Sequence, residues 1–310
     1  MSLAGDFFDE NEISDVMRVR SAADLWAWVT NGASAPVSGS ATAVPCGGNV
    51  VYRGQATATH SLSSSLYRLC QQVKGTTVVE ADMANTETAI IDAMRAEGLG
   101  RLMTDGELLM VLQHHAIPTR LIDVSAAAAE ALFFAVDRND AADGRLFVID
   151  VHAPDPIPLN ASQSLPWANA VWGSLRSTST WSSTVALVDA APLDPRMRAQ
   201  QGKFLVGGLN RRLSGRFMWV GGRLIPASEY PEVTSLGINF VKQRRPMSRR
   251  NANWPATGWT IRIPAGWKPD LRDRLARLAD SIREDTMYPP VTEVKRLALS
   301  VARRTLESSR

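Results

Sequence analysis

The chain has 310 residues, 45% hydrophobic and 21% charged, with a formal net charge of +3 at pH 7. That describes a globular chain with core enough for one large domain or two small ones, and no apolar run approaches the roughly 20 residues of a membrane helix. The charge is divided: residues 203–310 carry 21 Lys+Arg against 9 Asp+Glu, residues 1–202 carry 13 against 22. The basic third would attract an anionic partner or fold against the acidic part.

The start, MSLAGDFFDENEISD, is acidic and lacks the basic-then-apolar pattern of a secretory leader, so residues 1–14 read as an acidic tail and the protein as cytoplasmic. Cys46 and Cys70 form no CxxC, which favours two free thiols and disfavours a cysteine zinc site. Ser21–Asn31 reads as a first helix capped by Ser21, with Asp24 in its first turn, and residues 33–48 as a loop. Val50, Val51 and Tyr52 are strand formers, which puts Arg53 at or near the end of a buried strand, with Gly54 letting the chain turn. A guanidinium there must be paired or face a cleft.

Helices follow from about Leu62 and over Thr86–Glu97. Thr104-Asp-Gly-Glu107 is a capping box opening a helix that runs to His114 or His115, before Pro118. Thr119–Val124 reads as a short strand, with Ser125 or Asp123 capping the helix AAAAEALFFAV, whose alanines 126–129 admit a close neighbour. RLFVIDV after Asp143-Gly144, residues up to Val206 after the Arg198 turn, and Trp259–Ile263 read as strands, and Trp172–Val188 is β-prone. Pro269 opens a helix with Leu271, Leu275, Leu278 and Ile282 on one face, and a last helix spans about 291–306. Strands and helices without a βαβ rhythm indicate an α+β fold, a single elaborated domain over 15–310 with a central mixed or antiparallel sheet flanked by helices and a basic helical portion at about 265–310. GxGxxG, P-loop, GxSxG and HExxH motifs are all absent.

Tyr52-Arg-Gly-Gln55 and Gln113-His-His-Ala-Ile-Pro-Thr-Arg-Leu-Ile-Asp123 resemble the motifs of the FRG-domain family. Ser63–Arg68, Ala131–Ala135, Gln200–Phe204 and Met287–Pro290 resemble further elements in the expected order, so that the resemblance covers roughly residues 15–300. Ala116 stands where that family usually has glycine, and Val124 where it usually has tryptophan.

The layout is also similar to ADP-ribosyltransferases of the Arg-Ser-Glu type, which would imply a split sheet, NAD as substrate and a macromolecular acceptor, as in an effector or toxin. On that comparison Arg53 would clamp the pyrophosphate, Thr119 or Ser125 would position the nicotinamide ribose, and Gln201 (or Gln200) would stand where a glutamate is usual. A glutamine supplies neither a counter-charge nor a base, so Asp123 or a histidine, His115 first, would take that part. Tyr52, Gly54, Gln55 and Arg120 complete the expected pocket. Ser177-Thr-Ser179 is a second candidate for the hydroxyl element. Metal binding by His114, His115 and Asp123 is disfavoured, because adjacent helical histidines point about 100° apart. The alternative is a non-catalytic nucleotide- or nucleic-acid-binding module, with Arg244, Arg245, Arg249 and Arg250 beside Trp254 and Trp259 contacting phosphates. In a third reading the polar groups are structural, Arg120 pairing with Asp123 and the histidines capping carbonyls.

Overall fold

A computed structural model describes residues 2–14, 18–31, 49–153, 184–189, 202–209, 217–241, 254–278 and 282–287, with residues 156 and 165. Helices are α1 (Leu3–Glu10), α2 (Ala22–Thr30), α3 (Ser65–Lys74), α4 (Glu80–Ala96), α5 (Asp105–His114), α6 (Ala128–Val136), α7 (Lys268–Ala276) and α8 (Glu284–Met287). Strands are β1 (Val50–Gln55), β2 (Ile122–Ser125), β3 (Gly144–Val151), β4 (Val185–Asp189), β5 (Gly202–Gly207), β6 (Phe217–Val220), β7 (Arg223–Pro226), β8 (Ile238–Phe240) and β9 (Ala256–Ile263). Seven strands form one sheet in the order β4-β5-β2-β1-β3-β9-β8, antiparallel except where β8 runs parallel to β9. This is the expected α+β architecture with a mixed sheet.

β3 is buried on both faces and organises the core. Leu146 and Val148 join Tyr52, Trp259 and Ile261 under α2, α6 and α7. Phe147 and Ile149 point the other way, against Val51, Phe8 and Phe240. A third cluster packs α4 and α5 on Ala186, Val188, Phe204 and Val206 of β4 and β5. One seam in the sheet is thin. β1 and β2 pair only at Tyr52 and Ser125. Beyond that point Arg53–Gln55 follow β3 and Ile122–Val124 follow β5, so the sheet opens between them.

Residues 1–14 depart from the expectation of a tail. Leu3–Glu10 is helical, and Phe8 lies fully buried with its ring 4.9 Å from Phe147 and 5.0 Å from Phe240. Asp9 accepts from the buried Arg145 and pairs with Arg262 at 2.8 Å. Acidic composition concealed an amphipathic helix that buries Phe7 and Phe8 and pairs its half-exposed Asp9 with Arg145 and Arg262.

α5 begins with the expected capping box, Thr104 accepting from the Glu107 N–H at 3.1 Å and Glu107 from the Thr104 N–H at 2.9 Å. It ends before Pro118 acts. The N–H of Ile117 donates to the Leu112 carbonyl at 2.9 Å and that of Ala116 to Gln113 at 3.0 Å, a Schellman cap with Ala116 at φ 58°. An alanine Cβ in the left-handed region costs about 1 kcal/mol, so Ala116→Gly should raise stability by about that amount, read as a higher denaturation midpoint at unchanged slope.

α6 lacks the cap expected of it. Its N-cap is Ala127, with no side-chain bond, because Asp123 and Ser125 are in β2. A close approach to it is made by glycines of the sheet, at Ala131 and Ala135. A Cβ on Gly54 would lie 1.8 Å from the Ala131 carbonyl oxygen, and one on Gly144 2.3 Å from that of Ala135. Gly54 therefore seats a helix within a continuous strand and makes no turn. The expected loop at 33–48, most of the β-prone stretch 172–188, the last helix at 291–306 and Cys46 lie outside the described residues; Cys70 is free and buried.

Candidate functional site

The opening of the sheet is the floor of a cleft of about 980 Å³. β1 contributes Tyr52 to Gln55, β2 Asp123 to Ser125, β5 Gly202 to Phe204, and the first turn of α1 contributes Ser2, Leu3 and Ala4. Arg68 and Gln71 of α3, Phe134 of α6 and Glu232 close other sides.

Arg53 reaches across the gap. Its Nη1 donates to the Asp123 backbone carbonyl and lies 3.9 Å from the Asp123 carboxylate. The guanidinium thus takes the place of a ladder hydrogen bond where the strands part. Its Nε is buried without a hydrogen-bond partner, and the side chain remains 22% exposed. Burial lowers the Arg53 pKa; Asp123 opposes that, and Arg68 adds to it by repulsion. Burial also lowers the Arg68 pKa, and Asp123 again opposes. The Asp123 carboxylate, itself 62% exposed, thus pairs with Arg53 and acts on Arg68 from longer range, while Arg68 Nη1 donates to the Ser63 carbonyl.

That carboxylate is held by a relay. Gln113 Nε2 donates to Asp123 Oδ2 at 2.7 Å, and Thr119 Oγ1 donates to Gln113 Oε1 at 2.6 Å. The Leu121 N–H in turn donates to Thr119 Oγ1 at 3.1 Å. Thr119 is fully buried and works from behind the wall rather than in the cleft. Gln113 was legible only as a motif letter. Its function, aiming Asp123, depends on the turn at Ala116 bringing β2 back beside α5.

Of Arg53, Asp123, His115 and Arg120, all expected in the pocket, Arg53 and Asp123 line the cleft and the other two do not. Arg120 is 1% exposed and pairs with Glu87 at 2.8 Å and Glu80 at 2.7 Å, away from the cleft, and not with Asp123. His115 caps α5 and is exposed outside the cleft, whereas His114, the residue turned the other way, lines it. Tyr52, Gly54, Gln55 and Ser125 all line it. Gln55 donates to the Ser61 carbonyl at 3.0 Å, and its Oε1 is buried without a partner. Gln200 and Gln201 lie outside the described residues, as do Ser177–Ser179 and Arg244, Arg245, Arg249 and Arg250, although the neighbouring Gly202 pairs with Ser125 in the cleft wall. Among the described residues no group of three His, Cys, Asp or Glu side chains could hold a metal ion.

Sequence reasoning missed several lining groups. Arg68 was quoted as part of a motif, but its place beside Arg53 depends on α3 packing under the Pro118–Thr119 segment, where the Leu66 N–H donates to the Thr119 carbonyl at 3.0 Å. Phe134 and Phe204 bring aromatic surface. Glu232 brings a second carboxylate, whose pKa burial and Glu229 raise while a bond from Gln71 opposes.

Residues 48–144 match the family model of the FRG domain. This is narrower than the 15–300 read from motifs, and it contains β1, α3 to α6 and β2, with the Arg53, Arg68, Gln113 and Asp123 that meet in the cleft. No curated protein and no solved structure matches the chain. No described helix is long and apolar enough to cross a membrane.

Proposed function

With residues 48–144 an FRG domain, we propose that the cleft of this protein binds a NAD-type dinucleotide and that Asp123 supports ADP-ribosyl transfer from it. The observation that carries this reading is the pair of guanidiniums lining the cleft: Arg53, whose buried Nε has no hydrogen-bond partner and which lies 3.9 Å from the half-solvated Asp123 carboxylate, and Arg68. Guanidinium charge left over in a concave site is suited to a pyrophosphate, which accepts bidentate hydrogen bonds. Phe134, partly exposed at the cleft, offers an apolar face for a base or a nicotinamide ring.

The chemistry asked of Asp123 is electrostatic. As the C1′–N glycosidic bond breaks, nicotinamide leaves as a neutral molecule and positive charge develops on the ribose. A fixed carboxylate stabilises that charge. An acceptor oxygen or nitrogen then bonds to C1′, and its proton passes to a base in the cleft. Gln113 supplies the fixing, since it holds Asp123 Oδ2 and leaves the other oxygen to the cleft.

Calorimetric titration of NAD into the protein and into Arg53→Ala tests the reading. Binding in about the micromolar range is expected, weakened about 30-fold or more in the variant, with the circular dichroism of the two proteins superimposable. No heat from NAD with the unaltered protein would end the reading. Short single-stranded nucleic acids would then be titrated, with the arginines at 244–250 as their contacts.

A further inference from the structure

Lys268 opens α7 and is fully buried, and among the described residues no carboxylate lies within ion-pair distance of it, Asp140, Asp137 and Asp143 acting on it from further away. Its three ammonium protons go to backbone carbonyls: Ala56 at 2.8 Å, Arg138 at 3.0 Å and Asn139 at 2.9 Å. Those residues belong to two separate segments, the turn after β1 and the turn after α6, and all three line the cleft. Further bonds join the same parts. Asn139, at φ 59°, donates to Thr57 Oγ1 at 2.9 Å. Arg272, one turn along α7, donates to the Val136 carbonyl at 2.6 Å and to both oxygens of Asp140 at 2.6 and 2.7 Å.

A buried ammonium loses its hydration and is retained only where every proton finds an acceptor. Here the acceptors are backbone carbonyls of two turns that no strand ladder joins at that point, the Asn139 carbonyl also accepting the Ala142 N–H at 3.0 Å. Removing the ammonium would remove all three of these bonds at once, and with them a tie between the turn after β1 and the turn after α6. The mouth of the cleft is therefore set from behind, by a side chain that never touches its contents.

We propose that Lys268 is the positioning residue of the cleft, an internal clamp that holds the 56–57 and 138–139 rims at ligand-binding width. Its effect on affinity rests on the dinucleotide reading above; its effect on the rims does not. The test compares the full chain with Lys268→Met, Lys268→Arg and a control, Ile91→Ala, a buried position on α4 in a different core cluster. Amide exchange without ligand is measured first. Lys268→Met should speed exchange at 56–60 and 137–142 well beyond the control, and Lys268→Arg should restore part of the protection. NAD titration follows: Lys268→Met should bind roughly ten-fold more weakly, while Ile91→Ala, though less stable, keeps its affinity.

If the unaltered protein binds no NAD, the dinucleotide reading fails, and the exchange data alone decide the clamp. Rim exchange in Lys268→Met no faster than in Ile91→Ala would overturn it. So would NAD affinity lost equally in both variants, since that would make Lys268 a contributor to general stability alone.

Discussion

Replacing Gly54 with alanine is expected to lower stability by about 3 kcal/mol or more, the largest effect of any single methyl group in the described structure. The added Cβ would lie 1.8 Å from the Ala131 carbonyl oxygen and 2.6 Å from the Ala135 nitrogen. Both are backbone atoms of α6, so no rotamer change relieves the clash and strand and helix must separate. Separation in turn unpacks Ala131, Leu132 and Ala135, all fully buried, from Tyr52 and Leu146. Gly54 has no positive φ, so the effect is steric alone. A turn glycine would tolerate asparagine better than alanine; at Gly54 asparagine should be worse. Chemical denaturation of Gly54→Ala measures this, and a midpoint within about 1 kcal/mol of the unaltered protein would show that α6 does not sit where described.

This case illustrates what the sequence could and could not convey. Tyr52-Arg53-Gly54 announced a strand, which is present, and all three residues line the cleft. The reason for the glycine was misread, because a strand glycine that turns and one that admits a helix are identical in one dimension. Periodicity located β1, β3, β9 and α5 closely, since each buries residues at its natural spacing; it found the start of α7, which ends at Ala276 before Leu278 and Ile282. It failed at α1, where acidic composition stood for a tail while Phe7 and Phe8 did the packing. The parting of β1 and β2 beyond Tyr52 and Ser125 leaves no mark in either strand's own sequence. Which partner Arg53 or Arg120 takes is decided by residues 70 and 33–40 positions away in the chain, and spacing near either arginine carries no trace of them. Asp123, three residues from Arg120, was the natural local partner. In the fold it turns instead to Gln113 and Arg53.

Arg120→Met should cost about 3–5 kcal/mol while leaving the composition of the cleft unchanged. Arg120 Nε donates to both oxygens of Glu87 at 3.0 and 2.8 Å, and Nη1 donates to Glu80 Oε1 at 2.7 Å. The other Glu80 oxygen accepts the Leu209 N–H at 2.7 Å. Burial alone would lower the Arg120 pKa, but the two carboxylates outweigh it and the net shift is upward. The ion triad therefore ties the first turn of α4 and the segment after β5 to the strand that carries Asp123. Methionine fills the space but leaves two carboxylates, 3 and 4% exposed, facing each other without a cation. The cost is that of stranding them, not the value of the pair. A triple change, Arg120→Met with Glu80→Gln and Glu87→Met, removes the stranded charge and keeps an acceptor for Leu209. It should recover to within about 2 kcal/mol of the unaltered protein. NAD titration separates structure from ligand contact, because the triple variant should bind as the unaltered protein does. A refolded triple variant that has lost NAD binding, while Arg53→Ala retains it, would move the anion site from Arg53 to Arg120 and require the cleft to open through α4.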